Sequence, residues 1–167
     1  MSDFRLRWLL APFAVAAALA GCATPGQSLV GADRAAVQAR QGAPAERYPL
    51  AAGERWLYPL GGLQQLVWAV DFDAAGRVAQ VRQVRTAENF ARVRIGVDTQ
   101  ADIRREFGPP RIVMPFPMVG LVGWMFPYLE NDLWNSEMAI YFDPQGIVRK
   151  VENGPDPRFL GGDGFRR

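Results

Sequence analysis

The chain contains no histidine, one cysteine, one lysine and three serines among its 167 residues. Without histidine, the commonest general base near neutral pH and the commonest metal ligand are both missing. A single cysteine excludes an internal disulfide. A nucleophile at Ser2, Ser28 or Ser136 would need a lysine base, and Lys150 is the sole lysine. The expectation is a chain with no catalytic residues, no cofactor and no metal. Asp71-Phe72-Asp73 with Gly76 has the start of a calcium loop, but Ala75 and Arg82 stand where that loop needs oxygen ligands. Glu130, Asp132 and Glu137 read as a solvated acidic stretch rather than an acid-base pair.

Neither sign of charge dominates. Once Asp3, Arg5 and Arg7 are set aside with the leader described next, 17 basic residues face 16 acidic ones. That balance argues against nucleic acid, whose binders concentrate basic residues on one face. Long hydrophobic runs are also scarce. The apolar stretch at residues 8–20 is 13 residues long and contains Pro12, against the roughly 20 residues a spanning helix needs. Preceded by Arg5 and Arg7 and followed by Leu19-Ala20-Gly21-Cys22, it has the order of a secretion signal. The last four residues resemble the lipobox of bacterial lipoproteins. That resemblance implies cleavage after residue 21 and acylation, including palmitate, at Cys22, with residues 22–28 as a lipidated tether. A multiply acylated cysteine holds a soluble domain at a membrane. Ala23 stands where aspartate would retain a lipoprotein at the inner membrane, so the expected location is the outer membrane, lipid-anchored and facing the periplasm.

What is present is a pattern written twice. Val30-Gly31-Ala32-Asp33 leads to a stop at Gly42-Ala43-Pro44, and Ile95-Gly96-Val97-Asp98 leads to Gly108-Pro109-Pro110. Further on, Trp56-Leu57-Tyr58-Pro59 parallels Trp124-Met125-Phe126-Pro127, and Val70 to Val78 parallels Ile140 to Val148. The offset is about 65 residues at the first motif and about 70 at the last. Asp33, and Asp98 or Thr99, can cap a helix, and Gly42 and Gly108 can end it in a left-handed C′ conformation. Ile103 and Phe107 share one face of the second helix. Trp124 to Tyr128, Met138 to Phe142 and Ile147 to Val151 read as strands, with Asp73-Ala74-Ala75-Gly76 and Asp143-Pro144-Gln145-Gly146 as hairpin turns.

The expected fold is α+β, in two tandem units of one or two short helices on a three-stranded antiparallel sheet. The units span 29–85 and 86–152, and 153–167 is a flexible tail. Thr86 to Val93 reads as a short helix with Phe90 and Val93 facing inward.

Gly96-Val97-Asp98-Thr99, Ile103, Phe107-Gly108-Pro109-Pro110, Trp124-Met125-Phe126, Ile140-Tyr141-Phe142-Asp143 and Gly146-Ile147-Val148 together resemble the SmpA/OmlA (BamE-like) outer-membrane lipoprotein domain. The doubled arrangement is also similar to the secreted β-lactamase inhibitor proteins, whose tandem units form a concave protein-binding surface. These resemblances imply a non-enzymatic protein-binding scaffold or accessory factor in outer-membrane protein assembly or envelope integrity, or else an inhibitor-like binder of a periplasmic or secreted hydrolase. The expected partners are the membrane, through the N-terminal lipid, and another envelope protein.

Ile112 to Leu129 is 18 residues without a charge, broken by Pro115, Pro117, Gly120, Gly123 and Pro127. It reads as strand, loop and strand. The loop around Phe116, Met118 and Leu121 is either an exposed contact surface or a flap over the core. Trp56, Tyr58, Trp68, Trp124, Phe126, Tyr128 and Trp134 are candidate partner-binding aromatics, with sheet core as the alternative for each.

Overall fold

The computed structural model of the protein describes residues 29–161. The expected secretion signal and the whole of the expected tether, Cys22 included, lie outside the described residues, as does the end of the tail. In the first half, Asp33 accepts from the Ala36 N–H and starts α1 (Arg34–Gln41). In the second half, Thr86 caps the single turn of α2 (Ala87–Phe90). Thr99, not Asp98, caps α3 (Gln100–Phe107), in a closed capping box with Asp102. Asp98 instead accepts from the backbone and guanidinium of Arg94 and fixes the loop before the helix.

Gly42 and Gly108 end the two long helices, both at φ 78 with ψ near −166. The expected left-handed C′ has ψ near +45, so this is a different state, and one that is essentially restricted to glycine. Gly108→Val is therefore expected to lower stability by about 1–3 kcal/mol, read as a lower midpoint of thermal unfolding. The strain is local, because a Cβ at Gly108 would meet only ordinary contacts, with Leu57 at 3.4 Å and Val67 at 3.8 Å.

The strands form two separate antiparallel meanders. The first sheet is β1 (Glu46–Leu50), β2 (Gly53–Leu60), β3 (Leu66–Phe72) and β4 (Val78–Gln83), in that order. The second is β5 (Ile112–Phe116), β6 (Leu121–Glu130), β7 (Trp134–Phe142) and β8 (Val148–Pro155). Each sheet thus has four strands where three were expected. The added strands are β1 and β5, which both lie at an edge and carry Pro49 and Pro115. Proline is tolerated at an edge because its missing N–H need face no neighbour. β5 matches the first strand read in the run from Ile112 to Leu129, although it was not counted in the expected sheet, whereas β1 was not expected. At the other end of the chain β8 continues to Pro155, past the expected boundary at 152. There Asn153, Gly154 and Pro155 pair with Met138, Glu137 and Ser136.

Alternation along the strands assigns each residue a face. On the first sheet, Trp56, Tyr58, Val70, Phe72 and Val78 pack with Leu29 and Val37 of the α1 layer. Leu57, Val67, Ala69 and Val84 gather on the opposite face. That opposite face receives the end of α3, since Gly108 lies against Leu57 and Val67. The other side of α3 sends Ile103 and Phe107 into a cluster with Phe90, Phe126, Tyr128, Met138, Ile140, Phe142 and Val148. The order of layers is α1, first sheet, α2 with α3, second sheet.

The direction of α3 aligns the two sheets. Glu106 is bound by Arg55 and Arg82, Gly108 sits at mid-sheet, and the Pro109 carbonyl meets Arg85 beside Gln64. The start of α3 is bridged to the β7–β8 turn through Thr99 and Ile147. The β1–β2 and β3–β4 turns therefore lie at the same end of the molecule as the β5–β6 tip and the β7–β8 turn. Leu29, where the described chain begins, is at this end too, because Gly31 donates to the Val78 carbonyl at 2.8 Å.

Candidate functional site

The second sheet has one face in the core and one turned away from α2 and α3. Register places Ile112, Met114, Phe116, Leu121, Gly123, Met125, Ala139 and Tyr141 together on that outer face. Among the described residues, none of these belongs to a helix-bearing core cluster. Gly123 makes their arrangement possible. A Cβ there would lie 2.8 Å from the Phe116 ring, 3.0 Å from the Met125 methyl and 3.2 Å from the Tyr141 ring. The three side chains converge over the bare backbone, and Phe116 and Tyr141 meet edge to face at 5.3 Å. Lys150 lies 5.5 Å from the Tyr141 ring centre and pairs with Glu152, so the β8 rim carries its charge in a neutral pair. Burial, followed by a hydrogen bond with Glu152, pushes the Tyr141 hydroxyl above its ordinary pKa.

Beyond this face the β5–β6 hairpin ends in a 3-10 turn, Pro117–Val119. Met118 is 97% exposed and Val119 66%. Val113 and Met114 are exposed on the edge strand beside them. No charged residue occurs from Ile112 to Leu129. The tip is thus a solvated apolar projection and not a flap over the core. Phe116 and Leu121 are half-buried at its base, where they face each other across the hairpin.

Most of the expected aromatic contacts are elsewhere. Phe126 and Tyr128 are fully buried between the second sheet and α2–α3, with the Tyr128 hydroxyl donating to Asn153 at 3.0 Å. Trp56 and Tyr58 are buried beneath α1, with the Tyr58 hydroxyl bound to the Gly42 carbonyl. These four are core because their strand positions point to the helix layers. Trp124 is half-buried against the same core, 4.9 Å from Phe142. Burial pushes the hydroxyls of Tyr58 and Tyr128 up to about 12, consistent with phenols kept neutral inside the fold.

The carboxylates also take structural posts. Asp71 is bound by both arms of Arg55 at 2.6 and 2.8 Å, and Asp73 stabilises its own turn by accepting from the Arg77 N–H. Glu130 accepts from Ser136 and Asn153, whereas Glu137 is paired with Arg111. Among the described residues, no group of three or more potential ligands is placed to hold a metal.

A cleft of about 340 Å³ opens between β4, α2 and α3 beside Arg82, Arg92, Arg94 and Arg105. Each of these arginines is already paired, with Glu106, Glu88, Asp98 and Asp102 respectively. The cleft is neutral for that reason.

The residues that sequence reasoning missed are the arginines between the sheets. Arg85 is only 1% exposed and donates to the carbonyls of Phe107 at 2.9 Å, Gln64 at 2.6 Å and Pro109 at 2.6 Å. Burial pushes its guanidinium down to about 10, which leaves it charged at neutral pH. It stands at the negative end of α3, where a cation is favoured and the last carbonyls need donors. Beside it, burial opposes ionisation of Glu106, but Arg55 and then Arg82 hold its carboxyl below the ordinary range. No signal in Val84-Arg85-Thr86 distinguishes this arginine from the exposed ones.

Compared with known families and with characterised proteins, the chain matches none. Among solved structures it is similar to a DUF4309 family protein, YjgB, from Bacillus subtilis. The two are 15% identical over 78% of this chain and 84% of that one, with a TM-score of 0.31. A likeness at that level carries no argument about function. The expected SmpA/OmlA resemblance is overturned by this outcome. The residues that carried it are caps, helix stops, turns and sheet core, and such residues recur wherever a short helix leads into an antiparallel sheet.

Proposed function

We propose that this is a lipid-anchored, non-catalytic envelope protein that acts by binding a partner protein on the outer face of its second sheet. The supporting observation is the uncharged β5–β6 hairpin, whose outer residues lie outside the helix-bearing core, whose edge strand exposes Met114 on that face, and whose tip exposes Met118 and Val119. Contiguous exposed apolar surface of this kind marks interaction sites. The two halves are read as tandem copies of one unit. Pro49 and Pro115 stand at matching edge positions, and Asp33–Arg77 and Thr99–Ile147 form matching bridges. The anchor at Cys22 follows from the lipobox-like Leu19-Ala20-Gly21-Cys22. The working role is that of a scaffold or accessory factor in outer-membrane protein assembly or envelope integrity. A preorganised apolar sheet face also suits a second reading, the capping of a periplasmic or secreted hydrolase.

Met114→Asp is the direct test, because an exposed edge residue can be charged at a stability change of about 0.5 kcal/mol or less. Co-purification from detergent-solubilised envelope is expected to recover assembly proteins with the wild type and to lose them with the variant, at equal thermal stability. A single enzyme recovered in their place would favour the inhibitor reading. Retention of every partner by a folded Met114→Asp chain would remove the face from consideration. In the same cells Cys22→Ser is expected to abolish palmitate labelling.

A further inference from the structure

We propose that the end of the molecule carrying the β5–β6 tip is its membrane-facing end, with Met118 and Val119 seated in the lipid interface. This rests on the anchoring reading at Cys22 and adds an orientation and a second contact to it. The argument begins with chain length. Seven residues, 22 to 28, separate the expected lipid from Leu29, and fully extended they span at most about 25 Å. Leu29 lies at the same end as the tip. The ten residues of β6 separate that end from the opposite one, a distance of about 33 Å at 3.3 Å per residue. A tether of this length keeps the tip end nearer the membrane unless some stronger contact turns the domain over.

The side chains at the tip end suit such a surface. Met118 and Val119 project from a convex turn, a shape that can enter a lipid interface without closing around a partner. Ile95 and Val97 are exposed in the loop before α3, which is bonded to β8 through Gly96. These two apolar corners are about three strand spacings, or ~15 Å, apart along the same end of the sheet. The charges between them are layered. Arg94 is 69% exposed while its partner Asp98 is 12% exposed, and Arg149 is likewise outside its partner Asp143. Guanidinium groups therefore reach solvent with their carboxylates behind them, the order that suits lipid phosphates. At the opposite end Leu63, Leu133, Trp134, Phe159 and Leu160 are exposed, and Arg158 stands outside the buried Asp156 but is only 29% exposed, so apolar residues occur at both ends and the tether length selects the tip end.

A test uses the full chain reconstituted in vesicles of phosphatidylethanolamine and phosphatidylglycerol. With Cys22 acylated, Met118→Cys and Leu133→Cys each supply one free thiol for an environment-sensitive dye. The dye at 118 is expected to shift to the blue and to be quenched by brominated lipid, while the dye at 133 remains water-like. A water-like probe at 118, or equal quenching at both positions, would overturn the proposal. Labelling of the wild-type chain would mean that Cys22 is a free thiol, and the anchoring reading would fall. The comparison of 118 with 133 on the Cys22→Ser background would then still decide the orientation.

Discussion

Arg85→Ala is expected to lower the unfolding free energy by about 3–5 kcal/mol, the largest effect of any polar substitution in the chain. Removing the guanidinium relieves the cost of burying a charge, but it leaves three carbonyls without donors between the first sheet and α3. The carbonyls of Phe107 and Pro109 belong to the last turn of α3 and its stop, where helical backbone has no partner of its own. The Gln64 carbonyl lies in the β2–β3 loop, whose Gln64 takes a φ of 56, so the same side chain also fixes a turn in an uncommon conformation. Arg85→Lys is expected to recover only part of the loss. A single ammonium cannot reach three acceptors held by a planar fork. Urea unfolding of the three proteins gives the ranking, and a wild-type midpoint for Arg85→Ala would show that the two halves do not depend on this contact.

Phe126→Ala is expected to cost about 3–5 kcal/mol, whereas Met118→Ser, on the same hairpin, should stay within about 0.5 kcal/mol. Phe126 lies at the centre of the larger core, 6.1 Å from the Phe107 ring, 6.2 Å from Phe90 and 6.4 Å from Trp124. The Arg85 guanidinium covers its ring at 5.3 Å. Truncation leaves a cavity in a layer that contacts α2, α3 and the buried arginine together. For that reason Phe126→Ala and Arg85→Ala should combine for less than the sum of their separate costs, a coupling that a double-mutant cycle measures. A Phe126→Ala protein with wild-type stability would return that residue to the list of contact candidates. A strongly destabilised Met118→Ser would place the tip in the core.

Much of the local structure was legible because it depends on neighbours in sequence. Asp33 and Thr99 start helices, Gly42 and Gly108 stop them, and Asp73 and Asp143 close hairpin turns, in each case through side-chain or backbone bonds spanning a few residues. The inward stripe of Ile103 and Phe107 follows in the same way from helical spacing. The edge strand β1 was not legible, and β5, read as a strand from Ile112, was left out of the expected sheet. A proline inside a short apolar or charged segment reads as a breaker until the partner strand shows which side of the backbone is left open.

What the sequence by itself determined is the absence of histidine chemistry, the caps and stops of the helices, and the uncharged run from Ile112 to Leu129. Only the tertiary structure decided which aromatics are core and which apolar residues are surface. Trp56, Tyr58, Phe126 and Tyr128 share their composition with any interface. They are buried because their strand alternation meets a helix layer, while Met114 and Met118, in a segment just as apolar, meet none. The same holds for Arg85. An arginine in sequence is a solvated charge by default, and this one is buried because folding brings three carbonyls from two distant segments within reach of one guanidinium.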